Sequence, residues 1–187
     1  MGRSKKAGSK IDSQQEKQQR IEQLWLSYSA AIMRTLSGYE ADQQLREDLA
    51  QEIFCAMLHS VERISSAENP RAYIFRIAHN VAVDHIARQV RDKAESCEPE
   101  HLTQLLDDNS QHNDDCPAGQ LQRSQQQQLL LNAVRALDPP YRQVIMLLLE
   151  DLTATEIADI LQISAGAVRV RINRAKTELK ARLEGEK

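Results

Sequence analysis

The chain has 187 residues, 27% of them charged and 4% aromatic, with a formal net charge of −3. That length holds one ordinary domain or two small ones, and the slightly acidic balance argues against a general nucleic-acid coat. Few glycines and prolines and many helix formers point to an all-α protein. The three cysteines, Cys55, Cys97 and Cys116, are odd in number and form no CxxC, which argues against a disulfide framework or a zinc knuckle.

The opening MGRSKKAGSK is basic but precedes no long apolar run, so neither a signal peptide nor a membrane span is expected, and a cytoplasmic setting is. Residues 1–16 read as a disordered basic tail. A first helix is expected from about Glu16 to Leu36, with Ile21, Leu24, Trp25, Tyr28 and Ile32 at helical spacing, ended by Ser37-Gly38. A second is expected from about Ala41 to Val61. Its apolar residues cover more than half the circumference, and the remaining stripe holds Asp48, Gln51, Glu52, Cys55, His59 and Glu62. Asn69 and Pro70 suit the cap and first turn of a third helix running to about Arg91. Its inner face is expected to be Ile74, Ile77, Ala78, Val81 and Ala82, with Arg76, His79, Asn80, Val83 and Ala87 turned outward.

Periodicity then fails. Glu95 to Arg123 holds seven acids against one base, with Pro99, Pro117 and Gly119. Residues 93–120 therefore read as a flexible acidic linker between a first domain, 17–92, and a second, 121–187. The second domain is expected to carry four helices. The first runs from about Gln122 to Leu137, and Pro140 opens the next, through Glu150. Thr153 to Glu156 forms a capping box that starts the third, and Ser164 caps the fourth, to about Leu183. Cys55/His59 and His112/Cys116 are spaced for chelation, but neither pair has a second half-site, so no metal is expected.

The last two helices, joined by about three residues, read as a helix-turn-helix. Placing Val168 innermost puts Ile172, Ala175 and Leu179 on the buried side of the final helix. Gly166, Val170, Asn173 and Thr177 then face out, flanked by Arg169 and Lys176 on one edge and Ala167 and Arg174 on the other. Arginine and asparagine at such a face read guanine and adenine edges, and an apolar side chain touches a thymine methyl. Arg171, Arg174 and Lys176 suit phosphates. No histidine has a nucleophile or acid partner at a recognisable spacing, so an enzyme is not expected.

LTATEIADILQISAGAVRVRINRAKTEL (152–179) and the preceding DPPYRQVIMLLL resemble region 4 of bacterial sigma factors of the extracytoplasmic-function (ECF) group, the short two-domain specificity subunits of RNA polymerase. EDLAQEIF (47–54) and NPRAYIFRIAHNVAVDHIAR (69–88) resemble region 2 of the same group. Response-regulator activators share the helix-turn-helix pattern, but nothing before residue 120 resembles their phosphoacceptor domain.

The resemblance implies promoter recognition with core RNA polymerase and no cofactor. It places −35 element contacts on Ser164, Gly166, Ala167, Arg169, Val170, Arg171, Asn173, Arg174 and Lys176. Contacts to the −10 element fall on the Ile64–Asn69 loop with Arg71, Tyr73, Arg76, Asn80 and Val83, and polymerase docking on Asp48, Gln51, Glu52 and Cys55. An anti-sigma partner, membrane-anchored, and a place in the iron-uptake branch also follow from the resemblance. Val170 departs from the family pattern, which often has a small polar residue there.

Overall fold

The computed structural model describes residues 4–96 and 118–185. The described residues form eight helices, α1 (Ser4–Ser37), α2 (Gln43–His59), α3 (Val61–Ser66), α4 (Pro70–Ser96), α5 (Ala118–Arg135), α6 (Pro139–Leu149), α7 (Ala154–Leu161) and α8 (Ala165–Gly185). Among the described residues there is no strand, so the fold is all-α as expected. The acidic linker, with Cys97, His112 and Cys116, lies largely outside the described residues. Its expected ends are helical: residues 93–96 continue α4 and 118–120 open α5.

The helix starts follow from local chemistry. Each helix begins with backbone N–H groups that lack an intrahelical partner. The Asp42 side chain accepts from the Leu45 amide at 2.9 Å and starts α2. Asn69 Oδ1 accepts from the Ala72 amide at 3.0 Å ahead of Pro70, starting α4. Thr153 and Glu156 cap one another's backbone reciprocally and start α7. Ser164 Oγ accepts from the Ala167 amide at 3.1 Å and starts α8.

Two expectations are corrected here. Residues 4–16, expected to be a disordered tail, are the first turns of α1; the stretch has no proline, and its three lysines and two glutamines lose little on entering a helix. Residues 61–66, read partly as loop, form α3, which turns Ile64 into the core. The connection before α4 is therefore only 67–69.

Helices α1 to α4 form one lobe, in which α1, α2 and α4 pack on one another. Ile32, Leu36, Ile53, Met57, Ile64, Ile74, Phe75 and Ala82 are sealed from solvent at its centre. Helices α5 to α8 form the second lobe around α8, with Val134, Leu147, Ile157, Val168 and Ala175 fully buried. Each large side chain buried this way contributes about 1.5–3 kcal/mol. The lobes do not stand apart. Helix α7 packs on α4, and Met146 of α6 fills the space beside Gly38, where any Cβ would run into its thioether.

Candidate nucleic-acid interface

Helix α8 has two chemically distinct sides. Val168 and Ala175 are fully buried, and Ile172 and Leu179 nearly so, which fixes the rotation of the helix about its axis. The opposite side, Gly166, Arg169, Val170, Asn173, Arg174 and Lys176, is exposed, with Ser164 at its start; Ala167 and Arg171 are half-buried at the edges. Val170 is 50% exposed among these charges. The three-residue connection before α8 is sharp because Gln162 adopts φ 55°, ψ 43°, the left-handed conformation that ends a helix. Outward cations on the second helix of such a pair, around an apolar contact point, match a major-groove reading head.

Helix α4 carries a second face. Tyr73, Arg76, Asn80 and Val83 lie along one side, and the Arg76 guanidinium sits 4.4 Å from the centre of the Tyr73 ring. Asn80 is exposed; the other three are half-buried. A cation above an aromatic ring beside a polar side chain suits an unstacked base and its phosphate. Arg71 does not join this row. At 3.6 residues per turn it lies about 160° round the helix from Tyr73. It stacks over Phe75 at 5.8 Å and donates to the Glu150 carbonyl oxygen in the other lobe.

The stripe on α2 is as the wheel places it. Asp48, Gln51, Glu52 and Cys55 are exposed and, with His59 and Val81, line an open groove between α2 and α4. Glu52 is paired with Arg88 of α4 at 3.1 Å, both half-exposed.

Residues 24–92 match the family description Sigma-70 region 2, and residues 127–179 match Sigma-70, region 4. The ECF RNA polymerase sigma factor SigW of Bacillus subtilis (strain 168) is 31% identical over 144 residues, 73% of this chain and 74% of that protein. The chain belongs to the ECF RNA polymerase sigma factors. The RNA polymerase sigma factor YlaC of the same organism is 27% identical over 162 residues, 86% of this chain and 90% of that one. The fold is similar to that of the sigma factor RpoE of Bartonella quintana, solved in complex with the anti-sigma factor NepR. There the TM-score is 0.67 and the identity 17%, over 89% of this chain and 98% of that one. As a sigma factor, the protein serves promoter-specific initiation of transcription with RNA polymerase.

One expectation for this sigma factor's region 2 fails. His79 is 7% exposed and not outward. Helix α4 is covered from more than one side, by α1, α2 and α7, so its buried arc extends past the face that a wheel assigns. His79 Nδ1 meets the Tyr39 hydroxyl at 3.4 Å, and burial pushes the imidazole down to about 4. Phe75 is fully buried.

Some residues went unforeseen because their partners are remote in sequence. Glu40, in the α1–α2 connection, accepts from His85 Nε2 and Gln89 Nε2 of α4, both at 2.9 Å, and from the Asp42 amide. Burial pushes this carboxyl up, but the bonds from His85, the Asp42 amide, Gln89 and the Ala41 amide outweigh it and hold the group below its usual range. The cluster ties the end of α1 to the far half of α4. No group of three or more His, Cys, Asp or Glu is placed to hold a metal among the described residues. No helix there is long and apolar enough to cross a membrane.

Proposed function

We propose that this sigma factor reads the −35 element with the outer face of α8 and holds the melted −10 strand along α4, while α2 docks on core polymerase. The observation that supports this best is the fixed rotation of α8. With Val168, Ile172, Ala175 and Leu179 inside, Arg169, Val170 and Asn173 project together where base edges would lie. Arg174 and Lys176 take phosphates beside them. Tyr73, Arg76, Asn80 and Val83 receive bases and backbone of the single strand, and Asp48, Gln51, Glu52 and Cys55 meet the polymerase.

The reading is tested by reconstituting holoenzyme with core polymerase and transcribing a promoter library randomised in the −35 and −10 elements. Enrichment of defined sequences in both elements supports it. Transcription without sequence preference removes it.

A finer reading concerns regulation. The phrase ENPRAYIFRIAHNVAVDHIAR (68–88) supports a place in the iron-uptake branch, in the cytoplasm, under a membrane-anchored anti-sigma partner. Mapping transcript starts after overexpression tests it. New starts ahead of iron-acquisition genes support it, and their absence overturns it.

A further inference from the structure

We propose that Arg46, Arg135 and Arg142 form a binding site for a small anion with two or more phosphate groups, beside the turn that joins α1 to α2. The site is separate from the DNA faces of α4 and α8 and from the polymerase stripe, and it does not depend on the roles assigned to them. On α2, Arg46 lies about 120–180° round the helix from Asp48, Gln51, Glu52 and Cys55.

The three guanidinium groups come from α2, α5 and α6 and gather on one short piece of backbone. The chain leaves α1 in a tight turn, with the Gly38 amide bonded to the Thr35 carbonyl oxygen and the Tyr39 and Glu40 amides to that of Leu36. Arg135 Nε donates to the Ser37 carbonyl oxygen of this turn at 2.8 Å. Arg46 Nη1 donates to the carbonyl oxygens of Glu40 and Ala41, at 3.2 and 2.7 Å. Arg142 donates through Nη2 to the carbonyl oxygens of Arg135 and Leu137, which brings its charge up to the Arg135 side chain and to Tyr39 of the turn.

Hydrogen bonds to carbonyl oxygens satisfy donors but cancel no charge. Among the described residues none of the three arginines is in an ion pair. The carboxylate that acts on Arg135, Glu40, is turned to α4, with Oε2 on His85 and Gln89 and Oε1 on the Asp42 amide. Three cations therefore share one carboxylate that already serves a histidine. The crowding shows on the middle cation. Burial and the charge of Arg46 push the Arg135 guanidinium down, Glu40 opposes them, and Arg142 adds to the push. All three side chains are half-buried, where such repulsion is screened less than at an open surface.

The arginines also hold donors in reserve. Five of their nitrogens, Arg46 Nε and Nη2, Arg135 Nη2, and Arg142 Nε and Nη1, make no hydrogen bond to any described residue. Arg142 Nε is sealed from solvent without a partner, and a buried donor in that state is destabilising until it meets an acceptor. Planar guanidinium forks match the paired oxygens of phosphate. The unused nitrogens outnumber the oxygens of one terminal phosphate, and three cations against one carboxylate leave more charge than a monoanion cancels. Both point to a diphosphate or a longer chain. The half-buried setting between helices suits a free anion, whereas a nucleic-acid backbone suits the open cations of α8.

The test titrates the full-length chain with sodium pyrophosphate in a calorimeter at fixed ionic strength, with inorganic phosphate and a single-stranded oligonucleotide as the other probes. Pyrophosphate should bind one to one and more tightly than inorganic phosphate. Arg46→Gln, Arg135→Gln and Arg142→Gln should each weaken it about tenfold or more, as loss of a charged donor implies. Arg46→Lys keeps the charge but not the fork and should weaken it less. Circular dichroism checks that each variant folds; should Arg142→Gln fail to fold once its bonds to α5 are gone, the two Arg46 variants decide. Pyrophosphate binding that is absent, or that survives the Gln substitutions in folded protein, overturns the site. Loss of binding in Arg174→Ala instead places the anion on α8 and overturns it too. An oligonucleotide that loses affinity in the three Gln variants, with no binding of pyrophosphate, shows that the arginines meet a nucleic-acid backbone and overturns the small-anion assignment.

Discussion

The Arg76 guanidinium lies 4.4 Å from the centre of the Tyr73 ring, three residues back on α4. Helical spacing stacks the two side chains, and the row continues through Asn80 and Val83. The cation holds the ring on the face assigned to the −10 strand.

Tyr73→Ala should therefore impair promoter melting more than −35 recognition. Stacking of a base on an aromatic side chain contributes about 1–3 kcal/mol. Permanganate footprinting of holoenzyme on a linear promoter checks it, with a duplex −35 probe as control. Normal melting by the variant would remove Tyr73 from the strand-holding row.

The α2 stripe should bind polymerase without supporting the fold. Gln51 and Glu52 are both exposed, and Glu52 has only the half-exposed pair with Arg88. Replacing both by Ala should change stability by about 0.5 kcal/mol or less while weakening capture by core polymerase. A lower melting temperature with unchanged capture would show that the stripe supports packing instead.

The outer residues of α8 should divide into two classes. Arg174→Ala removes a phosphate contact, so binding weakens about equally on all sequences and the salt slope falls by about one. Arg169→Ala and Asn173→Ala should shift preference at particular base pairs by about 1–3 kcal/mol. Val170→Ser should shift it less, because only a methyl contact is lost. A randomised −35 library transcribed by holoenzyme separates these results; uniform losses for every variant would reduce α8 to an electrostatic anchor.

Stability should fall below neutral pH because of His79. Burial holds its folded pKa at about 4, against 6.5 in the unfolded chain. Above pH 6.5 the imidazole is neutral in both states. As pH falls from 6.5 towards 4 the unfolded chain takes up the proton first, and stability on the order of 3 kcal/mol is lost. Glu40, whose pKa is lowered in the fold, adds a loss only below about pH 4.5. Denaturant melts of wild type and His79→Gln between pH 7 and 5 check this: the variant's profile should be flatter, and parallel profiles would contradict it.

Gln162 holds a left-handed conformation that costs a residue with a Cβ about 1–2 kcal/mol. Gln162→Gly should raise the stability of the second lobe, less whatever the extra freedom of glycine costs in the unfolded chain. Thermal melting checks the sign.

The sequence by itself determined most of the helices, the capped starts of α4, α7 and α8, and the two sides of α8. Those features depend on neighbours within a turn or two: a cap and its amide, or Val168, Ile172, Ala175 and Leu179 at helical spacing. The polar stripe of α2 was legible for the same reason, because only one arc of that helix lacks apolar residues. Tertiary structure alone decided the rest. Arg34 and Glu150 are 116 positions apart, and Arg71 and Glu150 are 79; no local pattern links a guanidinium to the end of a distant helix. His79 looked outward because a wheel allots a helix one buried side, whereas α4 is buried by α1, α2 and α7 together. Local periodicity records which side a helix turns to its first neighbour. The second and third neighbours are set by how the helices cross, and they buried His79 and gave Arg71 its partner in the other lobe.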